Sequence, residues 1–366
     1  MGIKKITYAL TGDNYKIKDP IKNLALKEAV KTAKNLLKHN FCEIETSRGG
    51  SSYAIKKDSL YLAFVIEGLG TKNLVADALE EITGQSFYEV IAHDTVATII
   101  NDLITVGATP LVIHAYWAFG DNQFLKNEKR MTTLISGWRK ACDLAGVAWG
   151  GGESPTLKGI INPHCCDLAG AAFGVIKSKE RLITEDNLCE GDRIILLKSN
   201  GINANGLSLA RAVAKKLPQG YATLLPNRET FGQALLKKTN IYSQLLEELF
   251  CSGVKIHYVS NITGHGLRKI MRAKKNFTYV LQKIFSPQEI FLFIQRHTGL
   301  SDFEMYQTFN MGMDYALFLE EKQVKKARVV IKRLGFESLD AGYLKKGKKQ
   351  LIIQPKKIVF KESVFF

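Results

Sequence analysis

Four short segments of the 366-residue chain carry side chains whose types and spacing could do chemistry. The first is Glu67-Gly-Leu-Gly-Thr-Lys72, directly after the apolar run Tyr61-Leu-Ala-Phe-Val-Ile66. A carboxylate at the mouth of a buried strand offers a hard ligand for a cation, the glycines allow close backbone approach, and Lys72 offers charge for a phosphate. No Gly-Lys-Ser/Thr tripeptide occurs, so this is not a Walker A loop, and taken alone the segment also fits a plain turn. The second is a polar stripe, Asp94, Thr98, Asn101 and Asp102, at i, i+4, i+7 and i+8 in a segment that is apolar around the rest. Short oxygen side chains suit magnesium; the same spacing also describes a wet helix face, and spacing alone does not choose. The third, Trp149-Gly-Gly-Gly-Glu-Ser154, puts Glu153 beside three glycines, and the fourth, Thr263-Gly-His-Gly266, puts His265 in a turn where exposure is the expected state. No Ser/His/Asp arrangement or paired-carboxylate signal stands out.

These residues need elements to hold them. Hydrophobic spacing predicts a helix before Asn40, a buried strand over 61–66, a helix from Tyr88 to Val106, a strand over 111–118, a helix over 128–144 and a strand over 167–176. A charged stretch, Lys177 to Asp192, follows, and the domain boundary is placed there: 1–177 and 178–366. The second half opens with the strand Arg193–Lys198, the polar turn Ser199-Asn-Gly-Ile-Asn-Ala-Asn-Gly206 and a helix over 207–217, an order that presents backbone N–H groups to an anion. One long helix over 229–249 and a strand over 255–259 come next, then further alternation of helix and strand. The mixture predicts an α/β (α+β) fold in two domains, each with its own core.

Composition excludes several classes. At 46% hydrophobic and 10% aromatic residues the chain is not disordered, and no apolar run approaches the ~18 residues of a membrane span. Met1–Ile6 lacks the apolar core of a secretory signal and has Ile6 where a myristoylation signal needs Ser or Thr, so a cytoplasmic protein is expected. Six scattered cysteines without a C-x-x-C pair predict reduced thiols, and adjacent Cys165-Cys166 beside His164 diverge too far to be read as a metal site. The formal charge is +16, and from Glu321 to the end there are 13 Lys+Arg against 4 Asp+Glu. The runs Lys345–Lys349 and Lys356-Lys357 flank apolar strands and lack interleaved aromatics, so a solvated sheet edge is expected there rather than a nucleic-acid surface.

Taken in order, these segments resemble the phosphoribosylformylglycinamidine cyclo-ligase (aminoimidazole ribonucleotide synthetase) family, from about Leu62 to near the C-terminus. Val65-Ile-Glu-Gly-Leu-Gly-Thr-Lys72 is similar to the family's Gly-Thr-Asp-Gly-Val-Gly-Thr-Lys, and Ile100-Asn-Asp-Leu103 with Gly107-Ala-Thr-Pro-Leu111 to its Val-Asn-Asp-Ile and Gly-Ala-x-Pro-Leu. Gly151-Gly-Glu-Ser154, Asp167-Leu-Ala-Gly-Ala171 and Ser199–Gly206 follow its Gly-Gly-Glu-Thr, Asp-Leu-Ala-Gly-Phe and Ser-Ser-Gly-x-His-Ser-Asn-Gly. Leu235–Tyr242 and Thr308-Phe-Asn-Met-Gly312 resemble its Leu-Leu-x-Pro-Thr-Arg-Ile-Tyr and Thr-Phe-Asn-x-Gly. These last two favour the cyclo-ligase over selenophosphate synthetase, thiamine-monophosphate kinase and the hydrogenase maturation factor.

The resemblance implies an ATP- and Mg²⁺-dependent ring closure of formylglycinamidine ribonucleotide to 5-aminoimidazole ribonucleotide in purine biosynthesis. It implies a two-domain fold whose N-terminal sheet joins that of a second subunit in a homodimer, with a C-terminal α/β domain. Glu67, Asp94 and Asp102 are then the metal ligands; Gly68, Gly70, Thr71, Lys72, Asn101 and Glu153 face ATP; and Ser199, Asn205, Thr239, Tyr242 and Asn310 face the substrate. Glu67, Asp102 and Asn203 are the expected catalytic positions. The chain also departs from the family: Glu67 stands for an Asp, Asn203 and Asn261 for histidines, and Asn240 for an Arg. The glycine-rich segment is reduced to Arg48-Gly-Gly-Ser-Ser52, and of the amino-terminal motif only Tyr15-Lys16 remains. An amide cannot titrate, so two proton carriers are gone, with His265 as a replacement for one. Two alternatives stay open on these residues: an ATP-using relative with another small amide or phosphorylated substrate, and a catalytically silent binding paralogue.

Overall fold

The computed structural model describes residues 15–361; the amino-terminal segment read for a leader and the side chains of Tyr15-Lys16 lie outside what it describes. The first sheet comprises β1 (Cys42–Glu43), β2 (Tyr53–Lys57), β3 (Leu60–Gly68), β4 (Thr109–Phe119), β5 (Ala148–Glu153) and β6 (Cys166–Ile176), in the order β1-β2-β3-β6-β4-β5. Alternation along β3 sends Tyr61, Ala63 and Val65 inward and leaves Leu60, Phe64 and Ile66 on the opposite face. The inward face is covered by the helices Tyr88–Leu103 and Glu128–Ala145, which pack on each other. On the other face Phe64 and Phe173 are direct cross-strand neighbours, and both are exposed together with Ile66, Leu111 and Tyr116.

The second sheet comprises β7 (Arg193–Lys198), β8 (Tyr258–Asn261), β9 (Phe277–Leu281), β10 (Met313–Leu319), β11 (Ser338–Lys346), β12 (Gln350–Ile353) and β13 (Ile358–Lys361), in the order β13-β12-β9-β11-β7-β10-β8. Its interior strand β7 has a run of four buried aliphatics, Ile194 to Leu197, and every residue of β10 is buried, as continuous apolar strands covered on both faces require. Of the Lys-rich carboxyl-terminal runs, Lys345 and Lys346 end the interior strand β11, Lys348 and Lys349 lie in the turn after it, and Lys356-Lys357 lie in the turn that leads into the edge strand β13. All six cysteines are free.

Three expectations are corrected. The long helix over 229–249 is two helices, Phe231–Leu235 and Ser243–Cys251, because the intervening main chain leaves the helix to bond the first domain. The strand placed at 255–259 lies at Tyr258–Asn261. His265 is buried rather than exposed, since the turn that carries it starts a 3₁₀ segment, Gly266–Met271, packed against the helix Asp302–Thr308.

Candidate active site at the junction of the two domains

The polar stripe on the helix Tyr88–Leu103 is neither a wet face nor a metal triad. It is where the second domain docks. Asp94, which is fully buried, accepts a hydrogen bond from the Lys72 ammonium and another from the Thr239 N–H at 2.8 Å. Lys72, also fully buried, donates in addition to the Lys237 carbonyl at 3.0 Å. The ammonium expected to reach a phosphate is therefore turned inward, as one half of a buried ion pair. One residue earlier His93 Nε2 donates to the Thr239 carbonyl at 2.8 Å, and burial lowers its pKa. Asn101 donates to the Asn240 carbonyl at 2.7 Å and accepts from the Tyr242 N–H at 3.0 Å. Asp102 accepts from Asn261 Nδ2 at 2.7 Å.

Glu67, at the end of β3, faces Asp102. Burial, followed by the Asp102 carboxylate, pushes the Glu67 carboxyl up to about 7, against the pull of Lys269 and Arg272. Lys269 is in turn pushed down to about 7 by burial and the Arg272 guanidinium. Two carboxylates brought together at such a cost are what a divalent cation relieves, and Mg²⁺ is commonly held by one or two carboxylates with phosphates completing its shell. The pair fits the metal; the expected triad does not, because Asp94 is committed to Lys72 and Thr239. Among the described residues no group of three or more His, Cys, Asp or Glu side chains is placed to hold an ion.

Beside this pair the turn Gly68–Thr71 runs into the helix Asn73–Thr83. Gly68 and Gly70 are exposed, and Gly70 has φ +74°, a conformation that favours glycine. Arg272 reaches from the second domain to the shortened glycine segment, donating to Ser51 Oγ at 2.7 Å and to the Gly49 carbonyl at 2.9 Å. Glu153 is exposed at the end of the edge strand β5, opposite Tyr116 in the ladder, and no hydrogen bond or ion pair joins it to the Glu67–Asp102 pair.

The loop after β7 is held from below. Ser199 Oγ donates to the Gly201 carbonyl at 3.1 Å and to Asn310 Oδ1 at 3.2 Å, while Asn310 Nδ2 donates to the same Gly201 carbonyl at 2.9 Å. Both side chains thus fix the loop through its main chain. Asn205 is half-buried near the loop's end, and Gly206 has φ +75° with no room for a side chain: a Cβ would stand 2.1 Å from the Phe309 ring. Asn203, itself at φ +58°, donates to the buried Asp314 at 2.9 Å. Tyr242 donates to the other oxygen of Asp314 at 2.6 Å and receives Asn240 Nδ2 at 3.1 Å. Thr239 Oγ1 is buried with no partner among the described residues.

His265 is held neutral, its pKa pushed down to about 3 by burial and by Lys269, Arg268 and Lys22. It cannot carry a proton near neutrality as a charged acid. Lys269, Arg272 and Asp314 were missed by reading motifs. Asp314 does leave a signal, a charge interrupting the otherwise apolar Met313–Leu319, and the spacing of Lys269 and Arg272 after a glycine turn is a weaker one.

Comparison with known proteins agrees along the chain. Residues 50–176 match the family model described as AIR synthase related protein, N-terminal domain, and residues 190–353 match AIR synthase related protein, C-terminal domain. The chain is 33% identical over 269 residues to a phosphoribosylformylglycinamidine cyclo-ligase of Methanosarcina acetivorans, covering 73% of this chain and 76% of the relative. It is 32% identical over 341 residues to one of Caldicellulosiruptor saccharolyticus, covering 89% and 96%. The fold is also that of solved structures of much lower identity. HypE in the HypE–HypF complex has a TM-score of 0.61 at 14% identity, covering 86% of this chain and 93% of that one. AaThiL complexed with AMPPCP and TMP has a TM-score of 0.58 at 12% identity, covering 86% and 90%. With matched models over both halves and relatives at this identity over most of its length, the chain belongs to the phosphoribosylformylglycinamidine cyclo-ligase family.

Proposed function

We propose that the protein is a cytoplasmic, ATP- and Mg²⁺-dependent cyclo-ligase that converts formylglycinamidine ribonucleotide to 5-aminoimidazole ribonucleotide, its domains being residues 1–177 and 178–366. The observation that carries this reading is the Glu67–Asp102 carboxylate pair beside the turn of exposed Gly68 and Gly70, at a junction where Asn261 of the second domain donates to Asp102. The AMPPCP-bound structure of the same fold supports a nucleotide here. In the reaction the γ-phosphoryl of ATP passes to the formyl oxygen. The ribosyl-bearing nitrogen then attacks that carbon, the C–O bond breaks, and ADP, phosphate and a proton leave. When bound, Mg²⁺ supplies positive charge to the phosphates.

The chain's residues hold and orient. Glu67 and Asp102 hold the metal, with Asn101 and Asn261 fixing the second domain against that helix. The backbone N–H groups of Gly68, Gly70 and Thr71 meet phosphate, and Lys72 acts through the docking of Lys237–Thr239 rather than by touching ATP. Ser199, Asn203 and Asn205 present the loop to the substrate, with Thr239, Tyr242 and Asn310 behind it. Little covalent help is needed for such a transfer; positioning and electrostatic support do most of it.

Purified protein given formylglycinamidine ribonucleotide, ATP and Mg²⁺ is expected to release ADP and 5-aminoimidazole ribonucleotide in equal amounts. No ADP under any condition sinks the proposal; ADP with no aminoimidazole product redirects it to an ATP-using relative with another substrate. Growth of a purine auxotroph lacking this step is the corresponding test in cells.

The bare face of the first sheet supports a homodimer. Phe64, Ile66, Leu111, Tyr116 and Phe173 form an exposed apolar surface that the chain's own helices do not cover. Sedimentation equilibrium is expected to give twice the 40.8 kDa chain mass, and Ile66→Lys, at a position 70% exposed, to give the single-chain mass with an unchanged circular dichroism spectrum. A wild-type protein that stays at one chain mass at high concentration removes this part of the reading.

A further inference from the structure

Asp314 is a carboxylate in the middle of an apolar strand, 1% exposed, with no ion pair among the described residues. It sits where the register of β10 against β7 shifts between Met313 and Tyr315, a bulge of the kind that re-aims a side chain. The donors around it leave one consistent arrangement. Asn240 Nδ2 donates to the Tyr242 hydroxyl, which must then give its own proton to Asp314 at 2.6 Å. The second carboxylate oxygen accepts from Asn203 at 2.9 Å, and a carboxylate accepts only, so the nitrogen end of the Asn203 amide is the end that faces it. Asn203 Oδ1 is left as a buried acceptor with no partner among the described residues. A buried acceptor in that state favours whatever donor satisfies it.

We propose that Asp314 is a positioning residue: it locks the Asn203 amide with nitrogen toward the carboxylate and oxygen unsatisfied, so that the loop, on admitting a ligand, selects one bearing an N–H donor, here the amidine of the substrate, over an anionic group. This rests on the substrate-side placement of Asn203 in the reading above. It assigns to a carboxylate outside the recognised motifs the setting of hydrogen-bond polarity in the loop. The relay continues past Tyr242, whose N–H is held by Asn101, to the helix carrying Asp102. Facing Asp314 are Tyr242 from the start of the helix Ser243–Cys251, Asn203 from the loop and Tyr315 from its own strand; none is charged at neutral pH, and burial lifts the Asp314 carboxyl to about 6.

The test is Asp314→Asn, an isostere whose own amide can accept from Tyr242 and turn its N–H₂ toward Asn203, inverting that side chain. A rise of at least tenfold in KM for formylglycinamidine ribonucleotide is expected, with KM for ATP within twofold. Unchanged KM for that substrate, or an equal rise for ATP, overturns the proposal. A second measurement needs neither turnover nor a variant: the Asn203 side-chain amide signals of the wild-type protein, labelled at asparagine nitrogen, are expected to shift with a midpoint near pH 6. Their invariance between pH 5 and 8 overturns the lock. A wild-type protein without cyclo-ligase turnover is a failure of the functional reading alone, which the amide signals do not depend on.

Discussion

Lys72→Met is expected to lower the stability of the fold by about 3–5 kcal/mol, read from urea denaturation. Lys72 and Asp94 are both fully buried, and neither side chain touches solvent. Taking away the ammonium leaves a charged carboxylate in a closed site with only the Thr239 N–H and whatever proton it can recruit. It also frees the Lys237 carbonyl, so the loss falls on the contact between domains as well as on the pair. The companion variant Lys72→Met/Asp94→Asn removes the stranded charge while keeping an acceptor for Thr239, and more than half of the loss is expected to return. A single variant that loses less than about 1 kcal/mol shows that the pair is not buried as described.

Glu67→Gln is expected to abolish Mg²⁺-dependent turnover and to make the ligand-free protein more stable. The sign follows from the two proton affinities of Glu67. Its carboxyl has a folded pKa raised to about 7, mainly by burial and then by Asp102, from the ordinary value of 4.5. Below pH 4.5 it is protonated in both folded and unfolded chains, and the substitution is near neutral. As the pH rises from 4.5 to 7, the wild-type protein pays progressively for ionising this group in the folded state. Above 7 the penalty is complete, and the variant is ahead by on the order of 1–3 kcal/mol. Thermal melts of the two proteins across pH 4 to 8 check this directly. A variant that is less stable at pH 8 contradicts the crowded-carboxylate description, and one that keeps turnover contradicts the metal assignment.

Much of this was legible in the sequence, for definable reasons. The buried strand ending at Glu67, the helix from Tyr88 and the turn after Lys198 were read correctly because hydrophobic period and glycine placement are local properties. The pairing of Asp94 with Lys72 was not. On spacing alone Asp94 and Asp102 share a face and invite a common ligand; what separates them is the main chain at 237–242, which arrives from another domain. The same segment defeated the reading of one helix over 229–249, since its apolar period is helical while its N–H and C=O groups serve a better-buried partner. His265 was misjudged because exposure in a glycine turn depends on what packs over the turn. Asp314 carried a visible signal, but its meaning depends on Tyr242 and Asn203, 72 and 111 residues away in the chain.

The five bonds by which Lys72 and, on the helix Tyr88–Leu103, His93, Asp94 and Asn101 hold the segment 237–242 share a property. Lys72, His93, Asp94 and Asn101 are met by the carbonyls of Lys237, Thr239 and Asn240 and by the N–H groups of Thr239 and Tyr242. All of these are main-chain atoms, which every residue except proline can supply in full. The segment 237–242 can therefore change its side chains without loosening the joint. Drift in ligand preference is uncoupled there from drift in assembly, and Asn240 can stand where the family has Arg while its carbonyl still receives Asn101.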